Sequence, residues 1–334
     1  MNISSFFSSF FNSYLGMFMA QAFCHSIIAF IVVDRAVYLW SINNPLIRQR
    51  FHLIVVLLPV FSFPLYQIIN PDRGSISFRL GALFDINRWL NLELWGTIPL
   101  GLFFITIIII TTIIFIFQEM LPILKHTVES RRSDIEAEEA DDNSVVGQAI
   151  ENLPVEKPDV FVLDDDDYIL FSTTGKNASV YLSIGMIKKL NTEQLRAAVA
   201  HEIAHIIRNK RPLLIVAFLF RMIVFFNLVV LLEFRRLVQE EEKICDDMAV
   251  AFTKNPRALS EALKKLYHKN ENNSPLQLKK LSEMKDSIEE YSHNVHIENR
   301  IHRLESGGSR KTDGEWFKLI LTIIVITGIN YFVV

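Results

Sequence analysis

The chain has 334 residues, of which 50% are hydrophobic and 26 are phenylalanine. This composition is too apolar for an ordinary soluble protein and indicates a membrane protein. A formal net charge of −3 gives no reason to expect a nucleic-acid partner, and 2 cysteines far apart in sequence exclude a disulfide framework.

Apolar segments of about the 20 residues that a bilayer requires predict transmembrane helices. The first sixteen residues carry no charge, so the first segment is expected to stay as an anchor rather than be cleaved. Asp34 and Arg35 are predicted to be an interfacial pair at the end of that segment. The distribution of basic residues places the N-terminus outside and the chain after the third span inside. The predicted spans are Met17–Trp40, Phe51–Ile69, Thr97–Phe117 and Phe317–Val333.

A polar region, Gln118–Trp316, separates the third and last spans. Its charged start, Ser130–Asn143, predicts an exposed helix or a linker. Val160–Leu163 and Ser179–Ile184 are predicted strands on either side of a turn at Gly175. An exposed edge strand of such a pair would hold a peptide in extended form.

The motif HExxH follows, at His201, Glu202 and His205, in a stretch with strong helical character. Positions i and i+4 share a helix face, so both imidazoles reach one metal ion, while Glu202 projects about 100° away toward a water molecule. Two nitrogen ligands and a base are what a zinc hydrolase needs. The alternative is an ordinary helix with two solvent-facing histidines.

Downstream, Glu242 and Asp246 are four residues apart in a second predicted helix. We assign Glu242 as the third zinc ligand and Asp246 as the acceptor for the free N–H of a liganding histidine. Glu240 and Glu241 are competitors that the spacing does not exclude. Cys245 is either a thiolate ligand or, as we prefer, a small packing residue.

The apolar stretch Leu213–Leu232 is long enough to cross a membrane, but a single crossing would place His201 and Glu242 on opposite sides. Two ligands of one ion must lie within a few Å of each other. Basic residues flank both ends, and Arg221 and Asn227 make a lipid-centred span costly. We therefore expect a re-entrant or interfacial segment.

These residues carry a family resemblance. The stretch SVYLSIGMIKKLNTEQLRAAVAHEIAHIIRNKRPLL resembles the core of membrane-embedded gluzincin peptidases, both the BlaR/MecR type and the HtpX/CAAX-prenyl-protease group. Phe225–Val230 is similar to the WFNPLxW stretch of the BlaR/MecR type. Glu242–Asp246 is similar to its ExxCD signature, where the other group usually has ExxAD.

The resemblance implies a cytoplasm-facing zinc endopeptidase in which His201, His205 and Glu242 bind the metal and Glu202 is the catalytic base. Asp246 takes the family's position behind the ligands.

The segment HNVHIENRI is similar to the HPxIxxRI segment of both groups, although its proline is absent. It implies transition-state stabilisation by His293 and Arg300. Arg300 matches best, and His296 competes with His293 for the histidine position.

BlaR/MecR sensors continue into a penicillin-binding domain, whereas this sequence ends at Val334. We therefore do not expect β-lactam sensing by this polypeptide alone, and a separate sensor or regulatory protein is a possible partner.

The predicted fold is an integral membrane protein, mainly α with a small β-sheet. It has about four transmembrane helices and a gluzincin-like α+β zinc metalloprotease domain with a re-entrant or interfacial helix. The predicted domains are a membrane domain at 1–118 and a charged linker at 119–150. A cytoplasm-facing peptidase domain follows at 151–316, with 213–232 at the membrane, and the last transmembrane helix is at 317–334.

The predicted function is zinc-dependent peptide hydrolysis at the cytoplasmic face of the cell membrane, in regulated proteolysis or signalling. The expected substrate is a protein such as a transcriptional repressor or a membrane protein. One alternative is an HtpX-like quality-control or processing protease, and another is a non-catalytic zinc-binding scaffold or receptor. A transporter is disfavoured because the spans lack paired broken helices and midplane charges.

Overall fold

The structure is a computed structural model of the whole chain. It describes residues 9–96, 98–121, 137–141, 144–151, 153–155, 157–173, 178–209, 213–267, 296–307 and 316–334.

The chain is mainly helical, with short strands in two small sheets. In chain order, the longer helices and the short ones between them are α1 (Tyr14–Leu39), α2 (Pro45–Ile69), α3 (Ile76–Leu80), α4 (Ile86–Leu90), α5 (Leu100–Phe115), α6 (Val145–Glu151), α7 (Ile184–Lys189), α8 (Thr192–Asn209), α9 (Leu213–Ile223), α10 (Leu228–Thr253), α11 (Pro256–Tyr267), α12 (296–305) and α13 (Trp316–Tyr331). The strands are β1 (Glu93–Leu94), β2 (Ile98–Pro99), β3 (Ala137–Glu139), β4 (Asp159–Leu163), β5 (Leu170–Ser172) and β6 (Ser179–Ser183).

The chain forms two compact units. The membrane unit comprises Met1–Ser133, Leu213–Glu240 and Lys311–Val334, and the site unit comprises Asp134–Pro212 and Glu241–Arg310. Helix α10 belongs to both, because the division falls between Glu240 and Glu241.

Two helices of the membrane unit are long and apolar enough to cross a membrane. Helix α1 has 26 residues and α2 has 25, so each rises roughly 37–39 Å, more than the ~30 Å of a hydrocarbon core. The α1 start is capped by the Ser13 side chain and the α2 start by Asn44, each accepting a backbone N–H of the first turn. Pro45 follows at the first position of α2, where its missing N–H costs nothing.

The other two predicted spans form shorter helices. Helices α5 and α13 have 16 residues each and rise about 24 Å, and α5 continues through a π-helical turn, Ile116–Met120. Two of the four predicted spans, α1 and α2, therefore have the required length as single α-helices, and the third is helical from Leu100 to Met120 when its π-helical turn is included. A count of four and the orientation of the chain stay predictions.

The segment 213–232 is a helical hairpin rather than one continuous helix. Helix α9 has only 11 residues, about 16 Å, and α10 begins at Leu228 after a short turn. The Asn227 side chain accepts the Val229 backbone N–H at 3.1 Å and so caps α10. The two helices run side by side, with the rings of Phe218 and Phe234 6.0 Å apart. A single membrane crossing would require a straight helix over 213–232. The chain instead reverses direction within this segment.

The site unit contains a sheet with strand order β3-β4-β6-β5. The sequence predicted β4 and β6 as strands on either side of the Gly175 turn, but they are parallel neighbours. The turn predicted at Gly175 lies outside the described residues, and the described strand before it is β5, which pairs antiparallel with β6 and is the last strand in the sheet order. The prediction missed β5 because three residues are too few to show an alternating pattern.

Apolar residues of this sheet and of the surrounding helices form one core. The linker predicted at 119–150 lies partly outside the described residues, but its described part supplies β3 and α6, and Val146 and Ala149 of α6 are buried in the core. Gly185 lets the chain pass close to α7, since a Cβ there would lie 2.1 Å from the Asp166 backbone oxygen. The core is built on residues that include Val180, Leu182, Leu195, Val199, Ile203, Ala249, Leu259 and Ile301.

Candidate metal centre

Helices α8 and α10 bring three potential metal ligands together in the site unit. The Nε2 atoms of His201 and His205 lie 3.1 Å apart. A Glu242 oxygen lies 3.5 Å from Nε2 of His201, and the other lies 3.4 Å from Nε2 of His205. Among the described residues, these three are the group of metal-ligand type whose donor atoms lie within 4.8 Å of one another.

The separations fit a zinc ion. Bonds of about 2.0–2.1 Å arranged tetrahedrally put neighbouring ligand atoms roughly 3.3 Å apart, close to the observed spacings. Two imidazole nitrogens and one carboxylate are also a donor set of catalytic zinc sites. His201, His205 and Glu242 would hold the ion.

The electrostatics of the site favour a cation. Burial opposes protonation of His201, but the contacts with Asp246 and Glu242 outweigh it and raise its pKa to about 9. Burial also opposes ionisation of Glu242, yet His201 and Arg300 together lower its pKa to about 2. The pKa of His205 is lowered by burial and by the charge on His201. The carboxylates thus stay ionised and stabilise one positive charge among the ligands.

Glu240 and Glu241, which the sequence left as alternative ligands, have other partners. The guanidinium of Arg48 lies 3.1 Å from the Glu240 carboxylate. Arg208, one turn beyond His205 on α8, donates two hydrogen bonds of 2.6 and 2.5 Å to Glu241. This ion pair joins α8 to α10 beside the three residues, with Arg208 one turn after His205 and Glu241 directly before Glu242. The sequence spacing gave no sign of this contact.

Asp246 lies behind the ligands. Its Oδ1 is 3.1 Å from Nδ1 of His201, and Arg300 donates hydrogen bonds of 2.7 and 2.8 Å to its two oxygens. Arg300 also lies 3.0 Å from a Glu242 oxygen, so one guanidinium bridges both carboxylates. Burial opposes ionisation of Asp246, but the charge of Arg300 outweighs it and holds the pKa far below the ordinary range.

Helix α12 positions Arg300 against α10. Arg303, one turn further along α12, donates to both Asp247 oxygens at 2.6 and 2.5 Å. Arg300 of the segment HNVHIENRI therefore reaches the site, as the family resemblance implied. His293 lies outside the described residues, so its predicted role stays a prediction.

Cys245 does not face the space between the three ligands. Its sulfur lies 3.4 Å from Nδ1 of His205, the ring nitrogen that points away from them. Burial, reinforced by the charges of Glu241 and Glu242, raises the thiol pKa far above its ordinary range. Cys245 is therefore a neutral thiol in contact with His205, rather than a thiolate that faces the space between the three residues.

Glu202 faces a cleft beside the ligands. The Ser172 hydroxyl on β5 donates a 2.9 Å hydrogen bond to one Glu202 oxygen. Sequence reasoning missed Ser172, because no motif marks it and its strand was not predicted. The contact leaves the second Glu202 oxygen available for a water molecule.

The cleft has a volume of about 470 Å³ and is mostly apolar away from the ligands. One wall is an apolar stripe of α11 at positions i, i+3, i+4 and i+7, the spacing of one helix face. Residues of the edge strand β5, together with Tyr168, line another part of the cleft. The apolar and aromatic lining is Tyr168, Leu170, Phe171, Met186, Ala198, Leu259, Ala262, Leu263 and Leu266.

Comparison with known families places the chain. The model of the family described as BlaR1 peptidase M56 matches residues 84–291, which include His201, His205 and Glu242. The chain belongs to this family. With its two long apolar helices, the chain is a helical membrane protein.

The chain is also similar to curated proteins that are named Protease HtpX homolog. A protein named Protease HtpX homolog from Streptococcus gordonii is 29% identical over 153 residues, 42% of this chain and 50% of the relative. Proteins of the same name from Bacteroides fragilis and Thermoanaerobacter pseudethanolicus are 34% identical over 89 residues and 37% over 62, covering 25% and 18% of this chain and 27% and 20% of the relatives. The chain thus spans half or less of the length of these curated relatives.

Proposed function

We propose that the chain is a membrane-bound zinc endopeptidase whose site faces the cytoplasm. The supporting observation is that two histidines and a glutamate from separate helices converge with ligand spacing beside a carboxylate, Glu202, that no structural metal site would need. Membership of a peptidase family supports the same reaction class.

The residues have separate parts in this mechanism. Bound zinc would supply Lewis-acid activation of a water molecule and of the scissile carbonyl. Glu202 takes a proton from the water and later returns it to the leaving amine. Ser172 holds one Glu202 oxygen, so that the other is aimed into the cleft. Arg300 neutralises the carboxylates of Glu242 and Asp246 and keeps them beside the histidines.

The cleft also supports a substrate class. An extended peptide laid along the open edge of β5 would form main-chain hydrogen bonds there. Its side chain next to the scissile bond would enter the space beneath the α11 stripe. We propose that this side chain is large and apolar, because burying a charged group among Leu259, Leu263 and Leu266 would cost several kcal/mol.

The biological role has two candidates. The BlaR1 family match supports regulated proteolysis of one soluble protein, such as a transcriptional repressor, with a separate sensor or regulatory protein as the partner. Quality control or processing of membrane proteins is favoured by the names of the curated relatives. Proteomics of fragments in cells separates them: cleavage confined to one regulator supports signalling, and cleavage of many misfolded membrane proteins supports quality control.

Glu202→Gln tests the enzymatic function. The purified full chain and the variant are compared for zinc content and for cleavage of an unfolded reporter protein. We expect equal zinc, and cleavage slowed by about 10²–10⁴-fold because the general base is lost. Cleavage by the variant at the normal rate would refute the mechanism. Zinc retained by the wild-type chain without any cleavage would favour the non-catalytic scaffold.

A further inference from the structure

Three side chains of α10 form one face toward the two histidines. Glu242, Cys245 and Asp246 stand at positions i, i+3 and i+4, which are neighbours on a helix surface. Glu242 meets the Nε2 atoms, while Asp246 and Cys245 each meet one Nδ1 atom, at 3.1 Å on His201 and 3.4 Å on His205. Each histidine thus has a partner of its own at the nitrogen that faces away from Glu242.

That nitrogen controls how the ring binds a metal. A neutral imidazole binds through the nitrogen that lacks a proton, so the proton must sit on Nδ1 if Nε2 is the ligand. The Nδ1–H then needs an acceptor, which fixes both the tautomer and the ring orientation. For His201 the acceptor within reach is the Asp246 carboxylate, whose Oδ1 lies 3.1 Å from Nδ1.

For His205 the corresponding atom is sulfur. Cys245 is 0% exposed, so bulk water does not compete for this contact. A thiol sulfur is a weak hydrogen-bond acceptor, and 3.4 Å is a reasonable length for a contact between nitrogen and sulfur. The sulfur of Cys245 is therefore close to the metal site, but it lies on the side of the His205 ring that faces away from Glu242. This position does not suit a metal ligand, but it suits an acceptor for the Nδ1–H group.

We propose that Cys245 is a positioning residue that accepts the Nδ1–H of His205 and thereby directs Nε2 of this ring toward the metal. The inference rests on the proposed zinc site but not on cleavage. It assigns Cys245 neither as a ligand nor as filler of the core. The consecutive residues Cys245 and Asp246 then act as a pair, one behind each histidine.

Substitution at this position isolates the acceptor. Cys245→Ala removes it, and Cys245→Ser differs from the alanine variant by one hydroxyl oxygen, which restores an acceptor. Cys24→Ala is the matched control, because the other cysteine lies on α1 in the membrane unit. All variants are made in the full chain, in detergent micelles. Thermal unfolding without metal checks that each is folded.

The measured quantities are the zinc dissociation constant, from competition with a chelator, and the visible spectrum of the Co²⁺-substituted protein. We expect Cys245→Ala to weaken zinc binding about tenfold, the low end for loss of such a partner, because sulfur is a weak acceptor. Cys245→Ser should recover most of the affinity, and Cys24→Ala should match the wild type. The Co²⁺ d–d bands should shift in the alanine variant and return in the serine variant.

Three results would overturn the inference. Equal affinity in all variants would make Cys245 filler, and equal loss in the alanine and serine variants would exclude the hydrogen bond. A sulfur-to-Co²⁺ charge-transfer band that vanishes with Cys245 would make the thiol a ligand.

If the wild-type chain binds no zinc, the proposed function itself fails. If it binds zinc and Glu202→Gln abolishes cleavage while the Cys245 variants bind normally, only this inference fails. Should the alanine variant not fold, the serine and wild-type chains alone still give the affinity and the charge-transfer result.

Discussion

Asp246→Asn tests the carboxylate behind His201, and we expect it to lower both the stability of the metal-free chain and its affinity for zinc. Asp246 is 0% exposed, accepts hydrogen bonds from Arg300 on both oxygens, and has its Oδ1 3.1 Å from Nδ1 of His201. Asparagine has the same size but replaces one of the accepting oxygens with a donating NH₂ group. At least one donor, on Arg300 or His201, then faces another donor.

The magnitude follows from these contacts. Removing one partner of a buried ion pair costs about 3–5 kcal/mol. Arg300 keeps its 3.0 Å contact with Glu242, so we expect the lower value, about 3 kcal/mol in the free energy of unfolding. Loss of the partner behind His201 should weaken zinc binding by about 10–100-fold.

Asp247→Asn is the matched control on the same helix. Asp247 pairs with Arg303, but its side chain is 39% exposed, so the change should cost about 0–1 kcal/mol and leave zinc affinity unchanged. Chelator competition gives the affinity, and denaturation of the metal-free full chain in micelles gives the stability. Zinc affinity in Asp246→Asn equal to that of Asp247→Asn would refute the reasoning.

Two further predictions concern the cleft. Ser172→Ala should lower kcat about tenfold, because it removes a hydrogen bond that orients the base, while zinc content stays constant. Ser172→Thr keeps the hydroxyl and should retain most of the activity, and equal kcat in the alanine variant would show that Ser172 is not needed. Ala262→Leu should fill part of the cleft beneath the α11 stripe and lower kcat/KM for substrates with a large apolar residue about tenfold or more relative to alanine substrates. An unchanged ratio between the two substrates would place the side-chain pocket elsewhere.

The sequence was most informative where chemistry requires a fixed spacing. His201 and His205 had to share a helix face because both must reach one ion, and the structure has them on one helix with facing Nε2 atoms. The same requirement excluded a straight crossing between His201 and Glu242, and the segment is a hairpin. The roles of these residues stay predictions until metal and activity are measured.

Contacts between distant segments could not be predicted in the same way. Nothing in the spacing distinguishes Glu242 from Glu241, because the choice depends on Arg208, 33 residues earlier in the chain. Ser172 likewise reaches Glu202 only through the pairing of β5 with β6. Hydropathy was a rough guide to the helix ends, since α5 begins at Leu100 rather than at Thr97, and α13 ends at Tyr331 rather than at Val333.

X-ray absorption at the zinc edge of the purified full chain tests the central claim most directly. The account predicts a first shell of nitrogen and oxygen at about 2.0–2.1 Å with imidazole scattering, and loss of bound zinc in Glu242→Gln but not in Glu241→Gln. A sulfur shell near 2.3 Å, or zinc retained unchanged by Glu242→Gln, would contradict it.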